Sequence, residues 1–165
     1  MDKSKGLITS NSTESNRNIL QIADIAESIK ENNHIDDKIF QLLGTIITIS
    51  NCEYATFIEY NENKTSKYYT RKRQTNDWAG CNHIKENLVA EVKWSKMGIF
   101  TIGWNHEIED EFNLPDWDSI LITPLIKKGV VEAMIYIAVP LREKEFNQEN
   151  LNVINVLSNI FSGNY

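Results

Sequence analysis

Nothing in this chain supplies a covalent or metal framework. Its two cysteines, Cys52 and Cys81, are not closely spaced in 165 residues, so neither a disulfide scaffold nor a zinc site is expected. His34, His83 and His106 are scattered, without a metal-ligand spacing such as HxxxH. No apolar run approaches the roughly 18 residues of a membrane span. The opening MDKSKGLITSNSTESN lacks the apolar centre of a signal peptide. A cytoplasmic protein, or the cytoplasmic piece of a larger one, is expected, with no membrane partner. A basic excess is also missing: the net charge is -6, which argues against nucleic acid as a partner. Neither GxGxxG nor GxxxxGK[ST] occurs, so a parallel nucleotide-binding sheet is not indicated.

What is present is a core. Hydrophobic residues make up 41% of the chain, enough for one globular domain. Residues 1–14 are polar and read as a flexible tail, and residues 15–162 as a single domain. Ile19, Ile22, Ala26 and Ile29 recur at helical spacing, and so do Ile35, Ile39, Leu42, Leu43 and Ile46. After Asn51 the period becomes two: EYATFIEYN and KYYTRKRQ read as a hairpin. IKENLVAEVKWSKMG reads as a helix buried through Leu88, Val92 and Ile84, with Gly98 at its end. IFTIGW is a strand, and NHEIEDEFNLPDW an acidic loop or short helix. SILITPLIKKGVVEAMIYIAVP is a second hairpin. The last helix has Asn147 as N-cap, a stripe of Leu151, Ile154, Leu157 or Ser158, and Phe161, and a stop at Gly163. Hairpin-linked strands make an antiparallel sheet of five to six strands. The helices at both chain ends cover one face of it: an α+β domain.

In this order the chain resembles a GAF domain over about residues 17–161. Ser119, Pro124, Leu125, Gly129, the strand Val131–Val139, Phe146, and Glu149 leading into Leu151 carry most of the resemblance. Leu88 through MGIFTI adds a helix and short strand. Glu132-Ala133 stand where the family usually has a second glycine. The resemblance implies an architecture like that of GAF and PAS domains, with short helices and loops over the second sheet face. It also implies a non-catalytic signalling or sensor domain that binds a small molecule under those loops and signals through its terminal helices. Alternation then puts Ile120, Ile122, Ile135, Ile137 and Val139 on the terminal helices. Ser119, Leu121, Thr123, Met134, Tyr136 and Ala138 would face the ligand side.

The pocket candidates are therefore Ser119, Leu121, Thr123, Met134 and Tyr136, with Trp78, Phe100, Trp104 and Trp117 in the covering segments. Tyr69 and Arg71 join them; Arg71 facing the cavity would select an anion by a forked hydrogen bond. The competing reading makes KYYTRKRQ a solvated, charge-protected edge. No catalytic set and no metal ligands can be picked out. The acidic HEIEDE run reads as solvated surface. The family's bilin-holding members have a Cys–His neighbourhood, but the residues around Cys81 and His83 do not match it. Neither bilin nor haem is expected, no cofactor is required, and the ligand is not named by the sequence. Cys52, at a strand start, reads as buried and inert. A homodimer through the terminal helices is expected, with a signalling kinase or other effector protein as a further partner. Two alternatives remain: a ligand-free dimerisation or interaction scaffold, and a small GAF-fold reductase relying on Cys81.

Overall fold

Two hairpins and two further strands build a single sheet. The structure, a computed structural model, describes residues 22–24, 27, 31, 34–63, 65–80, 84–105 and 116–164. Ahead of the sheet, residues 22–24, 27 and 31 are helical. Helix α1 spans Ile35–Ser50. Asp36 and Asp37 occupy its first turn, where the helix dipole favours negative charge. Ile39, Leu42, Leu43, Ile46 and Ile47 form its buried stripe. Asn51, at φ 51°, ends it in the left-handed conformation that asparagine tolerates.

Strands β1 (Tyr54–Tyr60), β2 (Ser66–Lys72) and the two-residue β3 (Trp78–Ala79) follow. Helix α2 (Glu86–Ser95) precedes β4 (Ile99–Asn105), β5 (Asp116–Lys127) and β6 (Val130–Pro140); helix α3 (Gln148–Asn164) closes the order. The six strands run β3-β2-β1-β6-β5-β4, every neighbouring pair antiparallel. This is the expected α+β architecture. Segment 106–115, expected as an acidic loop or short helix, lies outside the described residues, as do residues 1–14 and most of the first apolar stripe.

Helices α1 and α3 share one core with Phe57, Leu121, Ile135, Ile137 and Val139, on one face of the sheet. Ile22 packs against the same core. Helix α2 covers the other face, where Val89 and Val92 meet Ile58, Ile120, Ile122 and Met134.

Asn147 caps α3 as expected, and reciprocally. The Asn150 N–H donates to Asn147 Oδ1 at 3.0 Å, and the Asn147 N–H to Asn150 Oδ1 at 3.1 Å. The expected glycine stops fall elsewhere. Helix α2 ends at Ser95 with Lys96 left-handed at φ 58°. Gly98 instead permits close packing: a Cβ there would lie 2.9 Å from Leu151 Cδ1 and 3.2 Å from the Ile122 carbonyl. Helix α3 runs through Gly163 to Asn164.

The β5–β6 hairpin corrects the expected faces. Lys128 and Gly129 both have positive φ (51° and 77°), as a two-residue type I′ turn requires. Lys127 pairs with Val130 and Ile126 with Val131. The next pair is Leu125 with Ala133, so Glu132 is an extra residue, a bulge. An uninterrupted ladder would align Ile122 with Ile135, as the sequence suggests. The bulge shifts the pairing by one, and a one-residue shift exchanges the two faces of a strand. Ser119 pairs with Val139, Leu121 with Ile137 and Thr123 with Ile135, all on the helical side. Ile120 and Ile122 take the other side with Tyr136 and Met134.

Candidate functional site

The sheet register distributes the eleven pocket candidates, and nine of them fall on the helical side. There Ser119 Oγ accepts the Phe146 N–H at 2.8 Å, fixing the entry to α3. Thr123 Oγ1 lies 2.9 Å from Ser158 Oγ on α3, and both residues are buried. Leu121 belongs to the helical core. These three position helices rather than line the opposite face.

Arg71 pairs with Ala55 and Trp78, which puts all three on the helical side. The Arg71 guanidinium donates to the Phe40 carbonyl of α1 at 2.7 Å and lies 3.9 Å from the Phe40 ring centroid. Burial lowers its pKa. Gly44 makes room, since a Cβ there would collide with Arg71 Nη1. Trp78 meets Phe40 at 5.0 Å and Tyr69 at 5.3 Å, both edge-to-face. Strand β3 covers the edge of KYYTRKRQ only at Thr70 and Arg71, and Arg71 and Tyr69 face α1, pinning it to the sheet. Phe100, Trp104 and Trp117 share the side of Leu121, because Phe100 pairs with Leu121 and Trp104 with Trp117. They are not part of a roof over the second face.

Met134 and Tyr136 do lie on the second face, as expected, and the register shows what surrounds them. One row crosses the sheet as Ala79, Thr70, Thr56, Tyr136, Ile122 and Ile99. Its β2–β1–β6 part is hydroxylated and its β5–β4 part apolar. Thr56 and Thr70 are buried, with their hydroxyl oxygens 2.9 Å apart. One O–H serves that contact, and among the described residues a second O–H and acceptor lone pairs remain. Tyr136 Oη accepts the Lys85 N–H at 3.3 Å, tying the start of α2 to the sheet. In the next row Tyr68 donates to Glu86 Oε1 at 2.9 Å, and Tyr60 Oη reaches Met134 Sδ at 3.7 Å. Burial, and then the nearby Tyr68 and Glu86, push the Tyr60 hydroxyl up to about 12. Thr56, Thr70, Tyr60 and Tyr68 were not singled out from sequence. The β2 alternation already puts Tyr68 and Thr70 on one side; naming that side as the second face needs the β1 register.

The apolar half is closed. Val89 and Val92 of α2, with Ile84 and Leu88, pack on Ile58, Ile120, Ile122 and Met134. A cavity of about 240 Å³ opens elsewhere, between the end of α1 and the start of α3, where Lys144 Nζ donates to the Ser50 carbonyl at 3.0 Å. Cys52 is buried, as expected, and desolvation pushes its thiol up to about 11. Cys81 and His83 lie outside the described residues. Among the described residues no three His, Cys, Asp or Glu side chains cluster as a metal site, and no helix is long and apolar enough to cross a membrane.

No sequence-family model matches the chain, and no curated protein matches it in sequence. Its three-dimensional fold does match solved structures. The GAF domain of an Acinetobacter phosphoenolpyruvate-protein phosphotransferase has a TM-score of 0.68 at 13% identity, over 90% of this chain and 92% of that one. A phycocyanobilin-bound GAF domain from a cyanobacterial phytochrome scores 0.62 at 6% identity, over 88% and 92%. Residues 122 to 287 of a methyl-accepting chemotaxis protein score 0.59 at 10% identity, over 85% and 93%. The chain has the GAF domain fold.

Proposed function

We propose that this is a cytoplasmic sensory or regulatory domain without chemistry of its own. It holds a small polar molecule against the hydroxylated half of its second sheet face and signals through its terminal helices to an effector such as a signalling kinase. The observation that carries this reading is the Thr70–Thr56–Tyr136 row. Buried hydroxyls on the core-facing side of a sheet cost desolvation and contribute little to packing. Among the described residues the Thr56 and Thr70 hydroxyls keep hydrogen-bonding capacity beyond their mutual contact, which is what a polar ligand needs for orientation. The Lys85–Tyr136 contact supplies a link by which occupancy of the row would shift α2. The setting is consistent: structures with this fold come from a phosphotransferase, a chemotaxis protein and a phytochrome.

A second reading has its own support. Ile58, Ile120, Ile122 and Met134 are fully sealed under α2, as a ligand-free interaction scaffold would have them. Native mass spectrometry separates the two. After incubation with a cell extract and desalting, the sensor reading expects a small-molecule adduct on the wild-type protein. Thr56→Val and Tyr136→Phe should lose it while still unfolding in one cooperative transition, each destabilised by no more than about 1–3 kcal/mol. A bare mass for the wild type, or an adduct indifferent to both substitutions, rejects the sensor reading in favour of the scaffold.

A further inference from the structure

The cavity of about 240 Å³ between the end of α1 and the start of α3 lies on the helical side of the sheet, away from the hydroxylated row. At about 30 Å³ per water it has room for about eight waters, less than a drug-sized ligand needs. Part of its lining is apolar: Ile154 is buried, and Ile49 and Val153 are half-buried. The polar part comes from Ser50, Lys144 and the first residues of α3.

Ser50 is the telling residue. It is only 3% exposed, yet among the described residues nothing bonds its hydroxyl. Thr45 and Thr48 of the same helix each donate to the carbonyl four residues earlier; Ser50 makes no such bond. Among the described residues no fully enclosed side-chain nitrogen or oxygen is left unpartnered, so Ser50 Oγ is not enclosed. It opens on the cavity that Ser50 lines. A nearly buried hydroxyl without a partner is a cost that an occupant would remove. Lys144 Nζ spends one N–H on the Ser50 carbonyl, and two remain. Among the described residues no carboxylate pairs with it. At the start of α3, Asn147 Oδ1 takes the Asn150 N–H, and no acceptor is described for the N–H groups of Gln148 and Glu149. The dipole of this 17-residue helix adds positive potential there.

We infer that this cavity is a second binding site, for a small monocarboxylate with a short apolar body. The carboxylate meets the Lys144 ammonium, the Ser50 hydroxyl and the start of α3, and the body covers Ile49, Val153 and Ile154. Hydrogen bonds to an ionised acceptor are the strong ones, and the donors here are a cation, a hydroxyl and helix-end amides. Inorganic phosphate suits the site less well. It would leave the apolar lining uncovered, and it brings up to two charges beside Glu149, whose carboxylate belongs to the same lining. The size of the cavity sets the strength: an occupant of about seven heavy atoms sustains a Kd on the order of 1–10 mM. Once bound, it ties the end of α1 to the start of α3, the two helices that share the main core. The site does not depend on the second face holding a ligand.

An amide NMR titration of the full chain with sodium isovalerate, up to about 100 mM at constant ionic strength, tests this around that Kd. The wild type should show saturable shifts at the Ser50, Gln148 and Glu149 amides. Ser50→Ala and Lys144→Met should each raise the Kd about tenfold. Ser50→Ala removes a hydroxyl that bonds nothing described, so it keeps the test valid even where Lys144→Met fails to fold. The neutral isovaleramide and inorganic phosphate should each bind about tenfold more weakly than isovalerate. A wild type without saturable shifts at these amides overturns the inference. So does a Kd indifferent to Ser50→Ala, or to a folded Lys144→Met. Isovaleramide or phosphate binding as tightly as isovalerate overturns it too, since the site would then not select a carboxylate.

Discussion

The contact between Thr123 and Ser158 offers a quantitative check on which way β5 faces. Ser158 Oγ also donates to the Ile154 carbonyl at 2.8 Å, so its only proton is used there. Thr123 must then be the donor across the 2.9 Å contact. Thr123 is fully buried and Ser158 nearly so. Ser158→Ala would leave the Thr123 proton without an acceptor, a loss of about 1–3 kcal/mol. Part of it is offset by the roughly 0.5 kcal/mol better helix propensity of alanine. Thr123→Val keeps the shape and removes one bond, costing about 1 kcal/mol. The double variant strands no donor, so it should be less destabilised than the two single losses added together, by about 1 kcal/mol or more. For a chain of this size each kcal/mol moves Tm by about 2–4 °C, well within calorimetric resolution. Additive losses would refute the hydrogen-bond assignment. Loss of a bound small molecule in Thr123→Val at unchanged stability would put Thr123 on the opposite face and refute the register itself.

Two further outcomes follow from contacts already described. Gly98→Ala should destabilise by about 1–3 kcal/mol in urea unfolding, because the new methyl meets Leu151 Cδ1 and the Ile122 carbonyl; wild-type stability would mean that α3 yields freely there. Burial raises the Cys52 thiol from 9.0 to about 11, so the folded state keeps a proton that the unfolded chain releases first. Its contribution is fully present below about pH 9 and lost as pH rises toward 11; the urea midpoint should fall less across that window in Cys52→Ala than in the wild type.

Much of the architecture was legible because it depends on periodicity. The α1 stripe from Ile39 to Ile46, though not its expected first member Ile35, the two hairpins, the Asn147 cap and the helices at both ends follow from spacing that tertiary context did not override. The second face was legible on β6 alone, at Met134, Tyr136 and Ala138. Its other members depend on register, and register turned on Glu132, a residue with nothing in its type to announce a bulge. Once β5 is reversed, β4 follows through its pairing, and Phe100 and Trp104 change sides together. Arg71 was misread for a related reason. Its charge suggested solvent or an anion, whereas its actual partners are the carbonyl and ring of Phe40, 31 residues earlier in the chain on a helix.

The extra residue at Glu132 also governs how this domain can be compared with its structural neighbours. A relative lacking that insertion, yet carrying the same string of amino acids along β5, would turn its serine and threonine toward the opposite compartment. Columns of an alignment that treat the two as equivalent would transfer chemistry to the wrong side. Hairpin length, more than residue identity, decides which inheritance is meaningful here.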